Sequence, residues 1–309
     1  MTILVAGATG LAGSAIVREL NRLKKEVIGI SSKDLDLLDR NATFEYFQNL
    51  QPSIVIDAAA KVGGIHANNT HPVEFLSNNI QIQTNLMDAS HAVSVEQFVF
   101  LGSNCIYPKN CPQPIKEEYI LTGVLEPTNS AYAIAKLAGI ELIKSYRKEF
   151  GHRWFSVMPI NLYGPNDNFD LENSHVFPAL IRKFTDAVVN KSNTVTVWGS
   201  GRPRREFLHV DDLAKAIVLC LEKYDSDQHI NIGTGSDITI SELAEKISKI
   251  SGFKGEIKWD SNREDGTPQK VLDIEKITKL GWKPTITLEQ GIKSTIEWYI
   301  QNEERGAFV

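Results

Sequence analysis

Short apolar runs alternate with amphipathic stretches through the first half of the chain. Ile3-Leu-Val-Ala6 reads as a buried strand, and Ala12 to Lys24 carries the period of a helix. Val27 to Ile30, Ile54 to Asp57 and Gln97 to Leu101 read as further strands, with amphipathic stretches between them. Continuous apolar strands separated by helices mean βαβ units and a parallel sheet covered on both faces. Right-handed crossovers then wind the sheet both ways and place ligands at the carboxyl ends of its strands. Tyr132 to Phe150 reads as a long helix, followed by the strand-like Phe155-Ser-Val-Met158.

After Pro165 the pattern changes. Asn166 to Ser174 is polar and aperiodic, as a loop beside a ligand would be and as a plain surface loop would also be. Asp211-Asp212 opens a helix running to about Glu222, placed back against the main sheet. From Ile230 onward come a glycine-rich turn, a helix from Ser241 and a last helix from Leu288. The expected class is α/β: a Rossmann-type doubly wound parallel sheet with a smaller mixed α/β C-terminal lobe. The expected division gives residues 1–165 plus about 206–225 to a dinucleotide-binding domain. Residues 166–205 plus 226–309 go to a substrate lobe.

Composition narrows the partners. Over 309 residues, 42% are hydrophobic and 23% charged, a balance that supports a sizeable core. A net charge of −5 argues against a nucleic-acid face. No apolar run reaches the roughly 20 residues needed to cross a bilayer. The start Met1-Thr-Ile-Leu-Val5 lacks the basic flank of a secretory leader. Three cysteines at unrelated spacings suggest neither a disulfide framework nor a metal site. The expectation is a cytoplasmic protein without membrane, metal or nucleic-acid partners.

Gly7-Ala8-Thr9-Gly10-Leu11-Ala12-Gly13 follows a strand and enters a helix. In that context glycines allow a tight turn and bring backbone close to a pyrophosphate at the helix N-terminus. Without it, the same string is an ordinary turn. Cofactor choice turns on the end of the second strand, where an acidic residue would hold a ribose 2′-hydroxyl. Ile30-Ser31-Ser32-Lys33 carries no carboxylate before Asp34. Ser32 and Lys33 suit a 2′-phosphate and favour NADP(H), although Lys33 also reads as a solvated loop charge.

Tyr132-Ala-Ile-Ala-Lys136 sets a phenol and an ammonium four residues apart, on one helix face. A neighbouring cation favours the phenolate and is expected to bring a tyrosine down from its usual value near about 10. Such pairs also arise by chance on helix surfaces. Phe100-Leu-Gly-Ser103-Asn-Cys105 gives this one company, because Ser103 ends a strand where a ligand lies and can donate to a carbonyl oxygen.

With the glycine-rich turn, Ser103 and Tyr132-Lys136 in this order, the chain resembles the short-chain dehydrogenase/reductase superfamily. Asn161-Leu-Tyr-Gly-Pro165 and Arg205-Glu-Phe-Leu-His-Val-Asp-Asp212 resemble its extended branch, which modifies nucleotide-activated sugars. A closer resemblance is to the GDP-L-fucose synthase family. It rests on Ala58-Ala-Ala-Lys-Val-Gly-Gly64 with Asn68-Asn69, Gly102-Ser-Asn-Cys-Ile-Tyr-Pro108 and Glu126-Pro-Thr128. It continues through Asn173-Ser-His-Val176, Trp198-Gly-Ser-Gly201, Arg205-Glu206-Phe207 and Asp265-Gly-Thr-Pro268 with Lys270. Ala8-Thr9 departs from it where a basic residue could reach the 2′-phosphate, and Asn104 stands where a second serine is familiar.

The resemblance implies a homodimeric enzyme that epimerises a GDP-4-keto-6-deoxy sugar at C3 and C5 and reduces it at C4. Within it Cys105 is the base and His175 the acid of epimerisation, while Ser103, Tyr132 and Lys136 serve both half-reactions. Taken alone, Cys105 reads as a small buried filler, as Cys111 and Cys220 do. His175 alone reads as a surface or packing histidine, and His209 as structural. Cofactor contacts extend by resemblance to Leu101, Gly102, Ser103 and Asn104, to Pro159, Ile160, Asn161 and Leu162, and to Tyr132, Lys136 and His175. Lys183, Trp198, Arg205, Asp265 and Lys270 would hold the GDP-sugar, Lys183 and Arg205 matching a diphosphate in charge. A sugar 4-epimerase or 4,6-dehydratase is the nearest rival, but Asn104-Cys105 replaces the acidic pair of a dehydratase. A catalytically silent dinucleotide sensor is the rival of another kind, against which Ser103, Tyr132 and Lys136 stand intact.

Overall fold

A computed structural model describes residues 1–261 and 265–303. Six parallel strands form the main sheet in the order Ile230–Ile232, Phe155–Pro159, Gln97–Leu101, Ile54–Asp57, Ile3–Ala6 and Val27–Ile30. Ile3–Ala6 is buried along its whole length because its residues are apolar toward both covering layers. From it the chain steps outward to Val27–Ile30 and then crosses back to Ile54–Asp57. Strand order therefore reverses beside Ile3–Ala6, which opens a crevice at its carboxyl end. The glycine-rich turn occupies that end.

Right-handed crossovers in opposite directions put helices on both faces. Leu11–Arg22 packs against Val210–Lys223, whereas Arg40–Leu50 packs on Pro72–Ala92 and that helix on Ser130–Phe150. Ser130–Phe150 stops at Gly151, whose φ of 72° is the left-handed backbone a glycine adopts freely. The expected doubly wound α/β class is the one observed.

A second core gathers Tyr163, Phe177, Phe184, Leu243 and Ile292. Over it, Thr194–Trp198 pairs in parallel with Glu256–Asp260. Val195 and Val197 point inward at 4% and 2% exposure, so the two-residue period turns Thr196 and Trp198 outward. Residues 230–232 and Leu272, Ile277 and Trp282 fall within the stretch expected to form this lobe, yet they pack into the main-sheet core. Ile230-Asn-Ile232 is three residues long, enough to pair with Val157–Pro159 as an edge strand but too short to stand out in the sequence.

The two cores are stitched at Asn161–Tyr163, which pairs in parallel with Phe207–His209. Glu206 lies beside that seam, fully buried. Its carboxylate accepts from the backbone N–H of Gly235 and of Leu272, each at 2.7 Å, and from that of Thr234. Burial pushes its pKa up to about 7 against the pull of those donors.

Replacing Glu206 by Ala would leave three backbone donors without their acceptor, of which the buried Leu272 N–H would cost about 1–3 kcal/mol. Urea unfolding of Glu206→Ala is expected to show a loss of about 1–3 kcal/mol. An unchanged midpoint would contradict this reading.

Candidate active site

The turn after the first strand is shaped for a phosphate. Gly7 adopts φ 75°, and a Cβ there would stand 2.7 Å from the Ala58 carbonyl oxygen. A Cβ on Gly13 would run into the Gly7 carbonyl. Gly10 is the N-cap of Leu11–Arg22 and offers no side-chain cap, so the first-turn N–H groups face outward for a ligand to satisfy. Ala8 N donates to Ile30 O at 2.9 Å, tying the turn to the end of the second strand. There Asp34 folds back to accept from Ser31 N at 2.8 Å and Ser31 Oγ at 2.7 Å. Those bonds occupy Ser31 and leave Ser32 and Lys33 exposed at the strand end. A dinucleotide pyrophosphate fits this cradle.

Ser103 ends the strand Gln97–Leu101 in extended backbone and caps a single turn, Asn104–Ile106, where its Oγ accepts from Cys105 N at 3.3 Å. Tyr132 and Lys136 come from the first turns of Ser130–Phe150, which packs on that turn. Lys136 is 3% exposed and donates from Nζ to Leu101 O at 2.8 Å. Its ammonium lies 4.6 Å from the Phe100 ring centroid and 5.9 Å from that of Tyr132. Burial lowers its pKa to about 8, and Asp57 resists the fall. The ring of Phe75 closes edge-on over Tyr132 at 6.4 Å.

Lys136 was expected to lower the Tyr132 phenol. The phenol is instead held above its ordinary value: burial raises it most, the Cys105 sulfur and Asp57 add to that, and only the adjacent Ser103 hydroxyl pulls it down. The ammonium sits over ring faces and on a carbonyl, so the crowded cleft outweighs it. A phenol kept protonated is the state that a proton donor needs.

Cys105 is half-buried and receives Asn129 Nδ2 on its Sγ at 3.3 Å. Cys220, by contrast, is fully buried with its thiol pushed up to about 12 by burial. His175 is the N-cap of Val176–Val189 without a side-chain cap bond. The residue is exposed, and desolvation by the surrounding protein lowers its pKa. Gly64 N donates to Asn173 O at 2.9 Å, which holds this segment against the loop after the third strand. His209 accepts from Asp211 N at 3.2 Å and caps the next helix, as a structural residue does.

The five residues expected to hold substrate fall into two groups, Lys183 with Trp198 and Asp265 with Arg205 and Lys270. Lys183 Nζ donates to Thr196 O at 2.9 Å and lies 4.8 Å from the Trp198 ring centroid, with Trp198 45% exposed. Asp265 accepts from Ser200 N at 2.9 Å and counteracts the fall that burial imposes on the pKa of Arg205. Arg205 is paired in register with Lys270. Lys270 is buried and donates from Nζ to Asn104 Oδ1 at 3.4 Å, reaching the turn that carries Ser103 and Cys105. Asn104 and Asn161 hold backbone, bonding Pro159 O at 3.3 Å and Glu206 O at 2.9 Å. Leu101 and Gly102 close the floor, Gly102 N donating to Val157 O at 2.9 Å.

Three polar residues escaped the sequence reading. Asn79 exchanges bonds with both backbone groups of Lys61 and sets the loop before Gly63. Asp57, 1% exposed at the end of the third strand, accepts from Ala59 N at 3.1 Å and has its pKa raised to about 6 by burial, against the pull of Lys136. Asn129 is the third. A carboxylate closing an apolar strand was the available signal for Asp57; nothing in the local pattern marks Asn129.

Residues 3–233 match the model of the NAD dependent epimerase/dehydratase family. A putative GDP-L-fucose synthase 2 of Arabidopsis thaliana is 50% identical over 303 residues, covering 97% of this chain and 92% of that one. The GDP-L-fucose synthase of Escherichia coli (strain K12) is 47% identical over 313 residues, covering 98% of each. Among solved structures, a GDP-L-fucose synthetase from Naegleria fowleri bound to NADP superposes with a TM-score of 0.91 at 32% identity, over 98% of this chain and 93% of that one.

The Lys136 ammonium is expected to titrate near about 8, and lower still in Asp57→Asn, which removes its counter-charge. Nζ chemical shifts followed by NMR across pH report this directly. A midpoint unmoved by the substitution would rule out Asp57 as its electrostatic partner.

Proposed function

We infer the function from this premise: the chain belongs to the NAD dependent epimerase/dehydratase family. Within it, the chain is a bifunctional NADP(H)-dependent enzyme that converts GDP-4-keto-6-deoxy-D-mannose to GDP-L-fucose. It epimerises C3 and C5 and then reduces C4. The observation that carries the site assignment is the meeting of Ser103, Tyr132 and Lys136 with the Cys105 sulfur at one strand end.

The C4 oxygen of the sugar takes its place between the Ser103 hydroxyl and the Tyr132 phenol. The ketone acidifies the hydrogens on C3 and C5, because the electron pair left on carbon delocalises onto that oxygen. Cys105 Sγ removes the proton, Ser103 and Tyr132 hold the enolate oxygen, and His175 returns a proton to the other face of the carbon. The same sequence serves both carbons. NADPH, when bound, supplies the hydride to C4. Tyr132 then gives its proton to the C4 oxygen, and the Lys136 ammonium stabilises the phenolate left behind. Lys183, Trp198, Arg205, Asp265 and Lys270 line the path of the GDP-sugar. Ser32 and Lys33 stand where the 2′-phosphate would lie.

A homodimer belongs to this reading, formed through Pro72–Ala92 and Ser130–Phe150 across a two-fold axis. Exposed Val73, Ile134 and Phe150 on those helices support it. A reducing, cytoplasmic setting fits three unpaired cysteines and a thiol that acts as a base. Among the described residues no helix is long and apolar enough to cross a membrane. Sedimentation is expected to give roughly twice the 34.4 kDa chain mass. A monomer at micromolar concentration would contradict the dimer.

Two variants separate the half-reactions. Cys105→Ser is expected to stop solvent deuterium entering C3 and C5 while leaving NADPH binding intact. Tyr132→Phe is expected to block single-turnover NADPH oxidation, by roughly 100-fold or more for loss of a general acid. Unchanged exchange in the first, or normal oxidation in the second, removes that residue from its role.

A further inference from the structure

Asn129 occupies the N-cap of the helix Ser130–Phe150, the position from which an asparagine ordinarily bonds a first-turn N–H. It makes no such cap. Its Nδ2 donates instead to Cys105 Sγ at 3.3 Å. Its Oδ1 is buried and has no hydrogen-bond partner among the described residues. A residue that forgoes a cap worth about 1 kcal/mol and buries an unsatisfied acceptor has its conformation set by something other than helix stability.

The surroundings fix that conformation. Helix Ile65–Thr70 packs against the turn Pro127–Asn129, and the helix Ser130–Phe150 against the turn holding Cys105. Glu126, at the start of the segment, is anchored by Lys109 at 3.1 Å and by Thr267 Oγ1 at 3.3 Å. The amide is thus presented to the sulfur from a backbone clamped on both sides. A thiolate is favoured by a hydrogen-bond donor and by the positive end of a helix dipole, and Asn129 brings both to one atom. An amide also carries an acceptor, so the same side chain can serve a thiol as well as a thiolate.

We propose that Asn129 is the positioning residue of the epimerisation base: its amide orients the Cys105 sulfur and stabilises it as the thiolate. This rests on the reading of Cys105 as the base. Asn129 moves no proton itself; deprotonation still forms the S–H bond at Cys105 and leaves the electron pair on the sugar enolate.

The test uses the full-length enzyme carrying Asn129→Asp and Asn129→Ala, with Cys105→Ser as reference. Iodoacetamide alkylation of the Cys105 peptide is followed by mass spectrometry across pH, which separates it from Cys111 and Cys220. Asn129→Asp, which puts a carboxylate beside the sulfur, is expected to raise the alkylation midpoint by about one pH unit or more. Asn129→Ala should shift it the same way by less. Solvent deuterium entry at C3 and C5, measured without NADPH, is expected to slow roughly tenfold or more in both, with NADPH binding retained. A merely structural residue would not move the midpoint.

If both variants bind NADPH and keep the wild-type midpoint, the proposal is overturned. Should Asn129→Asp fail to fold, Asn129→Ala decides alone by the same criterion. Deuterium exchange at the wild-type rate in Cys105→Ser would sink the base reading and this proposal with it. A silent Cys105→Ser beside an unmoved Asn129→Asp midpoint overturns only the role of Asn129.

Discussion

Lys136 Nζ donates to the Leu101 carbonyl over 2.8 Å in a place that water does not reach. Through this bond the first turns of Ser130–Phe150 are fixed to the last residue of Gln97–Leu101. In the proposed mechanism the groups around the C4 oxygen are set by that junction. Ser103 continues the strand, Cys105 rides on the turn after it, and Tyr132 is one helical turn before the lysine. Burying an ammonium is expensive unless it is paired. The Leu101 carbonyl, the Phe100 ring face and the Asp57 carboxylate share that task.

The same junction explains how one small site can serve two chemistries. Negative charge develops on the C4 oxygen both when a neighbouring carbon loses its proton and when hydride arrives, so one pair of donors suffices. What differs is the proton traffic at carbon, which the proposed mechanism gives to Cys105 and His175 on separate segments. The lobe with the second core contributes reach rather than chemistry. Glu206 pins its seam, and Lys270, paired in register with Arg205, extends from it to Asn104 on the catalytic turn. Ligand contacts on the lobe are thereby linked to the reacting centre by two short steps.

Five strands of the main sheet were legible because each is a short apolar run between amphipathic stretches. Tyr132 and Lys136 were legible because helical geometry converts a spacing of four into one face. Other features depend on tertiary context that a linear pattern does not carry. Ile230–Ile232 is a strand only because Phe155–Pro159 offers it an edge. Asn129 reads as an ordinary N-cap until the fold places a sulfur beside it. The protonation of Tyr132 was misjudged from sequence, since the lysine four residues on was visible and the burial that outweighs it was not. Asp34 reads as lying beyond the end of the second strand, yet its carboxylate folds back onto Ser31.

The most direct test of the account is the reaction itself, run with GDP-4-keto-6-deoxy-D-mannose and NADPH in deuterated water and read by NMR. The expected product is GDP-L-fucose carrying solvent deuterium at both C3 and C5, with one NADPH oxidised per product. A product reduced at C4 with the D-manno configuration intact and no deuterium on its ring would mean that the thiol and the phenol do not act on a common substrate, and would contradict it.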